Sequence, residues 1–466
     1  HRAFFCFCLW LLEVILLLFT YCFFYISKDS IPINILHMIQ ALLFAIFVGV
    51  FSCFAEETPP NVVLIISDDQ GYADYHFMGH EMIKTPQIDK LASQSLVYER
   101  GYVTTAVCAP SLATILTGLS PHRHGWTGND PVKDVGDWST RQSWVDRFAG
   151  NPQLPQLLAE RGYLSLHTGK YWQGDPKSVS GFTDSMGETN RHGSEYSLGI
   201  GRETMQPIWD FIQKAQDQRK PFMVWYAPFM PHDPHTPPER LEQKYIGMGA
   251  DQPAAKYYGM CEWFDETCGE LLDHLEDKGL TEKTIIVTIC DNGYGARMGS
   301  RGNVKASPYE LGVRTPIMVK WPGKVAPKMD KENLASNLDI LPTVLAACGI
   351  EIPDVAEGIN LLDHDAVAKR RHLFLENYTV DMIAVDNPGA ALRARSIVSN
   401  VWKLTIWREP HHLLKTHRWQ IEIPEQKVEL FDLQADPLEG RNLAEQNPET
   451  VEELQRKLDA WWNPVP

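Results

Sequence analysis

The sequence predicts an α/β fold, a mixed and mostly parallel sheet sandwiched by helices, followed by a smaller C-terminal α+β domain. Three observations predict it. Short apolar runs alternate with helix-period segments from Asn61 to about Gly349, the pattern of parallel strands joined by crossover helices. Polar residues able to do chemistry sit directly behind several of those runs, where open α/β sheets collect their ligand sites. From about Arg371 the texture changes to short strands and one amphipathic helix.

Taken in order, the chain opens on a leader. Phe4 to Tyr25 is almost wholly apolar, broken mainly by Glu13, and is long enough to span a bilayer. A second apolar stretch from Ile39 to Phe54 ends in Ser52-Cys53-Phe54-Ala55 before the acidic Glu56-Glu57. Small residues at Cys53 and Ala55 fit signal-peptidase cleavage after Ala55. Met38 stands directly before this stretch, so it is the expected start, with the preceding residues a gene-model extension. The alternative is a pair of membrane helices. Either reading exports the protein to the periplasm or the exterior, or anchors it in a membrane if the leader is retained. The expected organisation is a leader over 1–55, a catalytic domain over 56–370 and a small domain over 371–466, a division that 466 residues readily allow.

Val62 to Ser67, Leu164 to Thr168, Phe222 to Ala227, Thr284 to Cys290 and Ile317 to Trp321 read as buried strands. Helices are expected near Gln87 to Glu99, Pro110 to Thr117, Thr204 to Gln218 and Pro253 to Asp277. In the smaller domain Ser396 to Ser399, Trp402 to Trp407 and Val428 to Leu433 read as antiparallel strands, and Pro448 to Trp462 as a helix.

A net charge of −16 disfavours nucleic acid as a partner. It also means that an anionic substrate needs a local basic pocket. Of nine cysteines, Cys6, Cys8, Cys22 and Cys53 lie in the leader. The remainder, Cys108, Cys261, Cys268, Cys290 and Cys348, are too scattered for a disulfide scaffold and contain no zinc spacing. Cys261 and Cys268 share a helical stripe with Phe264 and Leu271 and read as small core residues.

Asp68 and Asp69 follow the first strand, and Asp291-Asn292-Gly293 follows the fourth. Either group alone would serve as a turn or cap. Together they form a hard, oxygen-only set suited to calcium or magnesium rather than zinc. Pro110 suits the first turn of a helix, which places Cys108 just before a helix N-terminus. Backbone N–H groups there favour an anion or developing negative charge. The residues leave two readings of Cys108, an activated nucleophile or a buried cysteine before a core helix.

The segment Cys108-Ala109-Pro110-Ser111-Leu112-Ala113-Thr114-Ile115-Leu116-Thr117-Gly118 resembles the sulfatase signature C-x-P-S-R-x-x-x-L-T-G, whose cysteine is oxidised to formylglycine. The resemblance continues through the aspartate pair, Gly169-Lys170, Pro231-His232-Asp233-Pro234 and Asp291-Asn292-Gly293. It also takes in Lys305, then Tyr309 to Pro316, and the tail from Glu429 to Pro437. It implies an alkaline-phosphatase-like fold and a sulfuric ester hydrolase acting on a sulfated small molecule or, preferably, a sulfated glycan. A formylglycine hydrate at Cys108 would attack sulfur, release the alcohol and then expel sulfate. Asp68, Asp69, Asp291 and Asn292, with the modified Cys108, would hold one calcium ion. Lys170 and Lys305 would bind sulfate, and His232 would act as a general acid or donor to the leaving oxygen. A formylglycine-generating maturation enzyme is the implied partner.

Two positions depart from the pattern. Leu112 stands where the family has arginine, and Trp172 where it has histidine. They motivate a rival reading, a non-catalytic sulfoglycan-binding relative, beside that of a phosphodiesterase or phosphonate hydrolase of the same superfamily. Arg123, His124 or His167 are candidates to fill the two roles. Arg123, His124, Arg191 and His192 are the expected substrate contacts, because arginine suits sulfate and an aromatic face suits a sugar ring.

Overall fold

A computed structural model describes residues 59–132, 141–187, 192–294, 305–411 and 421–464. The leader expected over 1–55, and Arg191, lie outside the described residues. Among the described residues no helix is long and apolar enough to cross a membrane.

The first part of the chain contributes β1 (Asn61–Ser67), β2 (Leu96–Tyr102), β3 (Asp130–Pro131), β4 (Leu164–Gly169), β5 (Asp184–Ser185), β6 (Phe222–Ala227), β7 (Thr284–Cys290), β8 (Ile317–Lys320) and β9 (Lys328–Ser336). All but β3 join one sheet in the order β5-β4-β6-β1-β7-β8-β2-β9. β8 runs antiparallel to both neighbours, and the other pairs are parallel. In β1, Val62, Leu64 and Ile66 enter one core while Val63 and Ile65 enter the other. Both faces of the strand are therefore covered, which is why its sequence is apolar throughout rather than alternating.

The helices divide between the two faces. α1 (Pro86–Ser93), α3 (Gln206–Asp217) and α4 (Gln252–Asp277) supply Ile88, Phe211, Ile212, Phe264 and Leu271 to one core. α2 (Cys108–Thr117) and α5 (Ile340–Ala347) supply Ile115, Leu116, Leu341 and Val344 to the other. Cys261 and Cys268 are buried along α4, as their stripe predicts. The helix expected over Gln87 to Glu99 is shorter. It stops at Ser93, and Leu96–Tyr102 is instead β2, bonded on both sides to β8 and β9. Leu96-Val97-Tyr98 is β-favouring, and pairing on two edges decides a segment that helical spacing alone leaves ambiguous.

The C-terminal part comprises β10 (His372–Tyr378), β11 (Asp381–Met382), β12 (Leu392–Ser399), β13 (Trp402–Trp407), β14 (Val428–Asp432) and α6 (Pro448–Trp461). β10-β12-β13-β14 is an antiparallel sheet. Ile397, Leu404 and Leu430 pack beneath Leu454 and Leu458 of α6. Ala394, Val398, Trp407 and Phe431 join the core of the main sheet. The architecture is the one the sequence predicts, with β12 starting earlier than Ser396.

Candidate active site

The register of β1 on β7 pairs Ser67 with Cys290, so Asp68-Asp69 and Asp291-Asn292 emerge side by side. β6 lies on the other side of β1 and leads through Phe229 to His232; β4, beyond it, ends in Gly169 before Lys170. Four adjacent strand ends thus converge, as the parallel topology requires. Gly169 has φ +80, and a Cβ there would stand 1.8 Å from the Ala227 carbonyl oxygen, so only glycine permits the turn that aims Lys170. A Cβ on Gly293 would similarly meet the Leu311 carbonyl at 2.0 Å, which presses the Asp291-Asn292 turn onto the Tyr309 to Pro316 segment.

Cys108 is the first residue of α2 rather than the residue before it. The orphan N–H of Ala109 is taken by Asn129 Oδ1 at 3.4 Å. Cys108 Sγ lies 3.7 Å from Asp68 Oδ1 and 3.9 Å from Asp69 Oδ1. Lys305 Nζ stands 3.3 Å from the same sulfur and 2.6 Å from Asp69 Oδ2. Lys170 Nζ lies 2.6 Å from Asp68 Oδ2, and His232 Nε2 lies 3.4 Å from Asp69 Oδ2 and 3.5 Å from Lys305 Nζ. His232 Nδ1 faces the Asp233 carbonyl. A carbonyl only accepts, so the Nδ1 proton is held there and Nε2 is turned to the cluster.

Asp69 adopts the left-handed region, φ 60. Its amide donates to Asp291 Oδ1 at 3.2 Å, and Asn292 Nδ2 donates to Asp69 Oδ1 at 2.7 Å. Such a conformation persists where surroundings over-determine it, commonly at functional sites. Asp291 Oδ2 and Asn292 Oδ1 are buried and have no hydrogen-bond partner among the described residues. Burial pushes the Asp68 carboxyl well up, against the pull of Lys170, and raises Asp291 as well. Asp69 is instead held far below the usual carboxylate range; Lys305 and His232 overcome the opposing effect of burial. Burial also pushes the Cys108 thiol up, with Asp291 adding to it. Orphaned, charge-penalised oxygens beside one another are what a hard divalent cation relieves, so these residues fit calcium. Ligand atoms of Asp68, Asp69, Cys108 and His232 lie within 4.8 Å of one another.

The other expected contacts are placed differently. Arg123 pairs with Glu357 at 3.5 Å and is half-exposed. His124 is buried; its Nδ1 accepts from the Trp126 amide at 3.1 Å and its Nε2 bonds Thr114 Oγ1 at 3.2 Å. His167 is buried within β4, with Nδ1 3.3 Å from Ser185 Oγ. His167 Nε2 lies 3.5 Å from the Lys170 carbonyl, behind the cluster, and none of these contacts reaches a side chain of the cluster. His192 does approach it, its ring 5.6 Å from that of His232 and 4.7 Å from that of Trp172. Trp172 is fully buried, with Lys170 Nζ 4.7 Å from its ring centroid, so indole and ammonium form a cation–π contact. Leu112 is 1% exposed within the α2 core. Sequence reasoning missed Arg202 and Phe229, which hold the His232 loop; no motif flags either residue.

A family model described as Sulfatase matches residues 60–350, and one described as N-sulphoglucosamine sulphohydrolase, C-terminal, matches residues 304–463. Human arylsulfatase A is 29% identical over 384 residues, covering 69% of this chain and 70% of that protein. N-acetylgalactosamine-6-sulfatase from Canis lupus familiaris is 26% identical over 351 residues, 65% of each chain. The crystal structure of Ps i-CgsB in complex with k-i-k-neocarrahexaose is similar with a TM-score of 0.68 at 22% identity, covering 88% of this chain and 94% of that one.

Proposed function

This chain belongs to the sulfatase family, and we propose that it releases sulfate from a sulfated carbohydrate through a formylglycine made from Cys108 and a calcium ion held by Asp68, Asp69, Asp291 and Asn292. It is a sulfatase, an enzyme that hydrolyses sulfate esters. The observation that carries the finer reading is the setting of Cys108. Its Sγ lies 3.3 Å from the Lys305 ammonium, at the first position of a buried helix and against the Asp68 and Asp69 carboxylates.

At position 108 a formylglycine hydrate would supply an oxygen nucleophile and a second hydroxyl able to lose a proton. Calcium supplies positive charge against the sulfate oxygens. The rest falls to side chains of this chain. Lys170, buried, and Lys305, partly buried, place two cations around the reacting position, where reduced dielectric strengthens them against an anion. Their present partners, Asp68 and Asp69, are the carboxylates that a bound cation would engage, which frees both ammonium groups for sulfate. His232 holds its Nδ1 proton on the Asp233 carbonyl and presents an unprotonated Nε2 towards the same position, where Lys305 Nζ lies 3.5 Å away. It therefore donates to the leaving oxygen only after Nε2 takes up a proton, as the imidazolium. His192, only partly buried, packs on the fully buried Trp172 and stands next to His232, which leaves its ring as the aromatic edge available to a sugar.

Support for carbohydrate comes from relatives and a structural neighbour whose names or ligands are saccharides. The apolar leader supports action outside the cytoplasm, where sulfated glycans are met. The test is sulfate release by protein made in a maturation-competent host. Sulfated mono- and oligosaccharides, an aryl sulfate and a phosphate diester would be compared. Turnover confined to the phosphate diester, or sulfoglycan binding without sulfate release by protein carrying formylglycine, defeats the proposal.

A further inference from the structure

The loop that carries His232 is gripped by a side chain outside the catalytic cluster. Arg202 Nε donates to the Phe229 carbonyl at 3.0 Å, and one terminal nitrogen donates to the same oxygen. That nitrogen also reaches the His232 carbonyl at 3.4 Å, while the other reaches Thr236 Oγ1 at 3.4 Å. The guanidinium carbon stands 5.2 Å from the centroid of the Phe229 ring. The Phe229 ring stacks on the His232 imidazole, with centroids 4.4 Å apart and planes 26° apart.

We propose that Arg202 and Phe229 are positioning residues that together fix where His232 Nε2 points. Three constraints act on one imidazole. Arg202 fixes the backbone at both Phe229 and His232, the Phe229 ring fixes the ring plane, and the Asp233 carbonyl holds Nδ1. Planar forked donors can bind two carbonyls and a hydroxyl at once, which an ammonium group cannot do from one place. The Arg202 donors bind the loop and not Asp68 or Asp69, so its part is geometric. Phe229 also stands 5.3 Å from Lys170 Nζ, so the same ring contacts the cationic side of the site. This inference rests on the reading of His232 as the group that faces the leaving oxygen.

The experiment uses the matured full chain with calcium present. It compares wild type, Arg202→Met, Arg202→Lys, Phe229→Leu, His232→Ala and the Arg202→Met/His232→Ala double variant. Readouts are kcat and KM on one sulfate ester, Tm, and amide exchange across 229–236. Misplacing a catalytic group by about 1 Å costs up to roughly 100-fold. Arg202→Met and Phe229→Leu are therefore expected to lower kcat by about 10- to 100-fold with little change in KM, and Arg202→Lys to recover part of the loss. Exchange across 229–236 should quicken in Arg202→Met while Tm moves little. The double variant should be no slower than His232→Ala alone, because the effect runs through that ring. Losses that multiply in the double variant, or wild-type kcat in Arg202→Met beside a slow His232→Ala, overturn this inference alone. Wild-type kcat in His232→Ala overturns the reading of His232 itself.

Discussion

Lys170 Nζ lies 2.6 Å from Asp68 Oδ2, and both side chains are almost completely buried. Lys305 stands against Asp69 in the same way. Two ammonium groups thus face three carboxylates, and the third, Asp291, is raised by burial and keeps an orphaned oxygen. The cluster is short of positive charge, and burial makes each uncompensated carboxylate costly.

Calcium is accordingly expected to raise Tm, and chelation to lower it. Binding only the folded state stabilises by about 2.7 kcal/mol at a hundred times Kd. Asp291→Ala should remove most of the calcium response while leaving the fold intact, since it deletes a charge that is poorly compensated without the ion. Calorimetric titration of metal-free protein checks both. An unchanged Tm on adding calcium to such protein would remove the metal from the proposal.

Cys108 is expected to carry formylglycine in part when the chain is made beside an active maturation enzyme. Peptide mass spectrometry reads the conversion of –CH2SH to –CHO directly, as loss of sulfur and two hydrogens with gain of one oxygen. Leu112, one turn on in α2, is 1% exposed, and Arg123 does not take its place because it pairs with Glu357 at the surface. Leu112→Arg should therefore raise the modified fraction and lower Tm, since a guanidinium enters an apolar core. Unmodified thiol only, in cells that mature a control sulfatase, would falsify the nucleophile assignment.

The strands and the cluster could be read from sequence for one shared reason. A strand buried on both faces is a continuous apolar run, and the residues behind it mark its end, so Asp68 and Asp291 were visible as punctuation, whereas Lys170, Lys305 and His232 were indicated only by the family resemblance. β2 was not, because Leu96-Val97-Tyr98 continues the helical spacing of α1 and only pairing with β8 and β9 distinguishes the two. The Arg202 grip was invisible for a different reason. Its partners are mostly backbone carbonyls, which leave no trace in side-chain identity. His124 and Arg123 looked like ligand contacts in sequence because nothing there shows that Thr114, Trp126 and Glu357 engage them.

Lys403 Nζ lies 3.1 Å from Glu310 Oε1 and 3.0 Å from Glu439 Oε1, all buried, at the junction of the C-terminal sheet and the segment that follows Lys305. Burial pushes Glu439 from 4.5 up to about 7, with Glu310 adding and Lys403 opposing. Lys403→Met leaves two acids without their cation and should cost roughly 3–5 kcal/mol. Glu439 binds its proton more tightly in the folded state, so stability from that proton is full below pH 4.5 and is lost as pH rises through about 7. The deficit of Lys403→Met should therefore shrink at pH 5 relative to pH 8 in denaturant titrations. A deficit that is small and independent of pH would show that the triad is not a working ion network.

His124 supplies the sharpest pH prediction, because its role can be separated from the chemistry. Burial first, then His122, lowers its pKa from 6.5 to about 3. Thr114 Oγ1 donates to the Pro110 carbonyl and so accepts from His124 Nε2–H, while Nδ1 accepts from the Trp126 amide. Both ring nitrogens are thus satisfied only in the neutral form. The folded state binds fewer protons at this group than the unfolded state does. Its stabilising contribution is therefore full above pH 6.5 and is lost as pH falls towards about 3. At about 1.4 kcal/mol per unit the loss is on the order of 4 kcal/mol across that window. His124→Gln, which keeps an acceptor and a donor but does not titrate, should flatten the acid limb of the stability profile. It should lower stability only modestly at pH 7, by roughly 1–2 kcal/mol for imperfect packing. Denaturant midpoints at pH 4, 5.5 and 7 decide this. An acid limb identical to wild type would show that the imidazole is not held neutral. Lost sulfate release at unchanged Tm would instead return His124 to the substrate contacts that the sequence suggested.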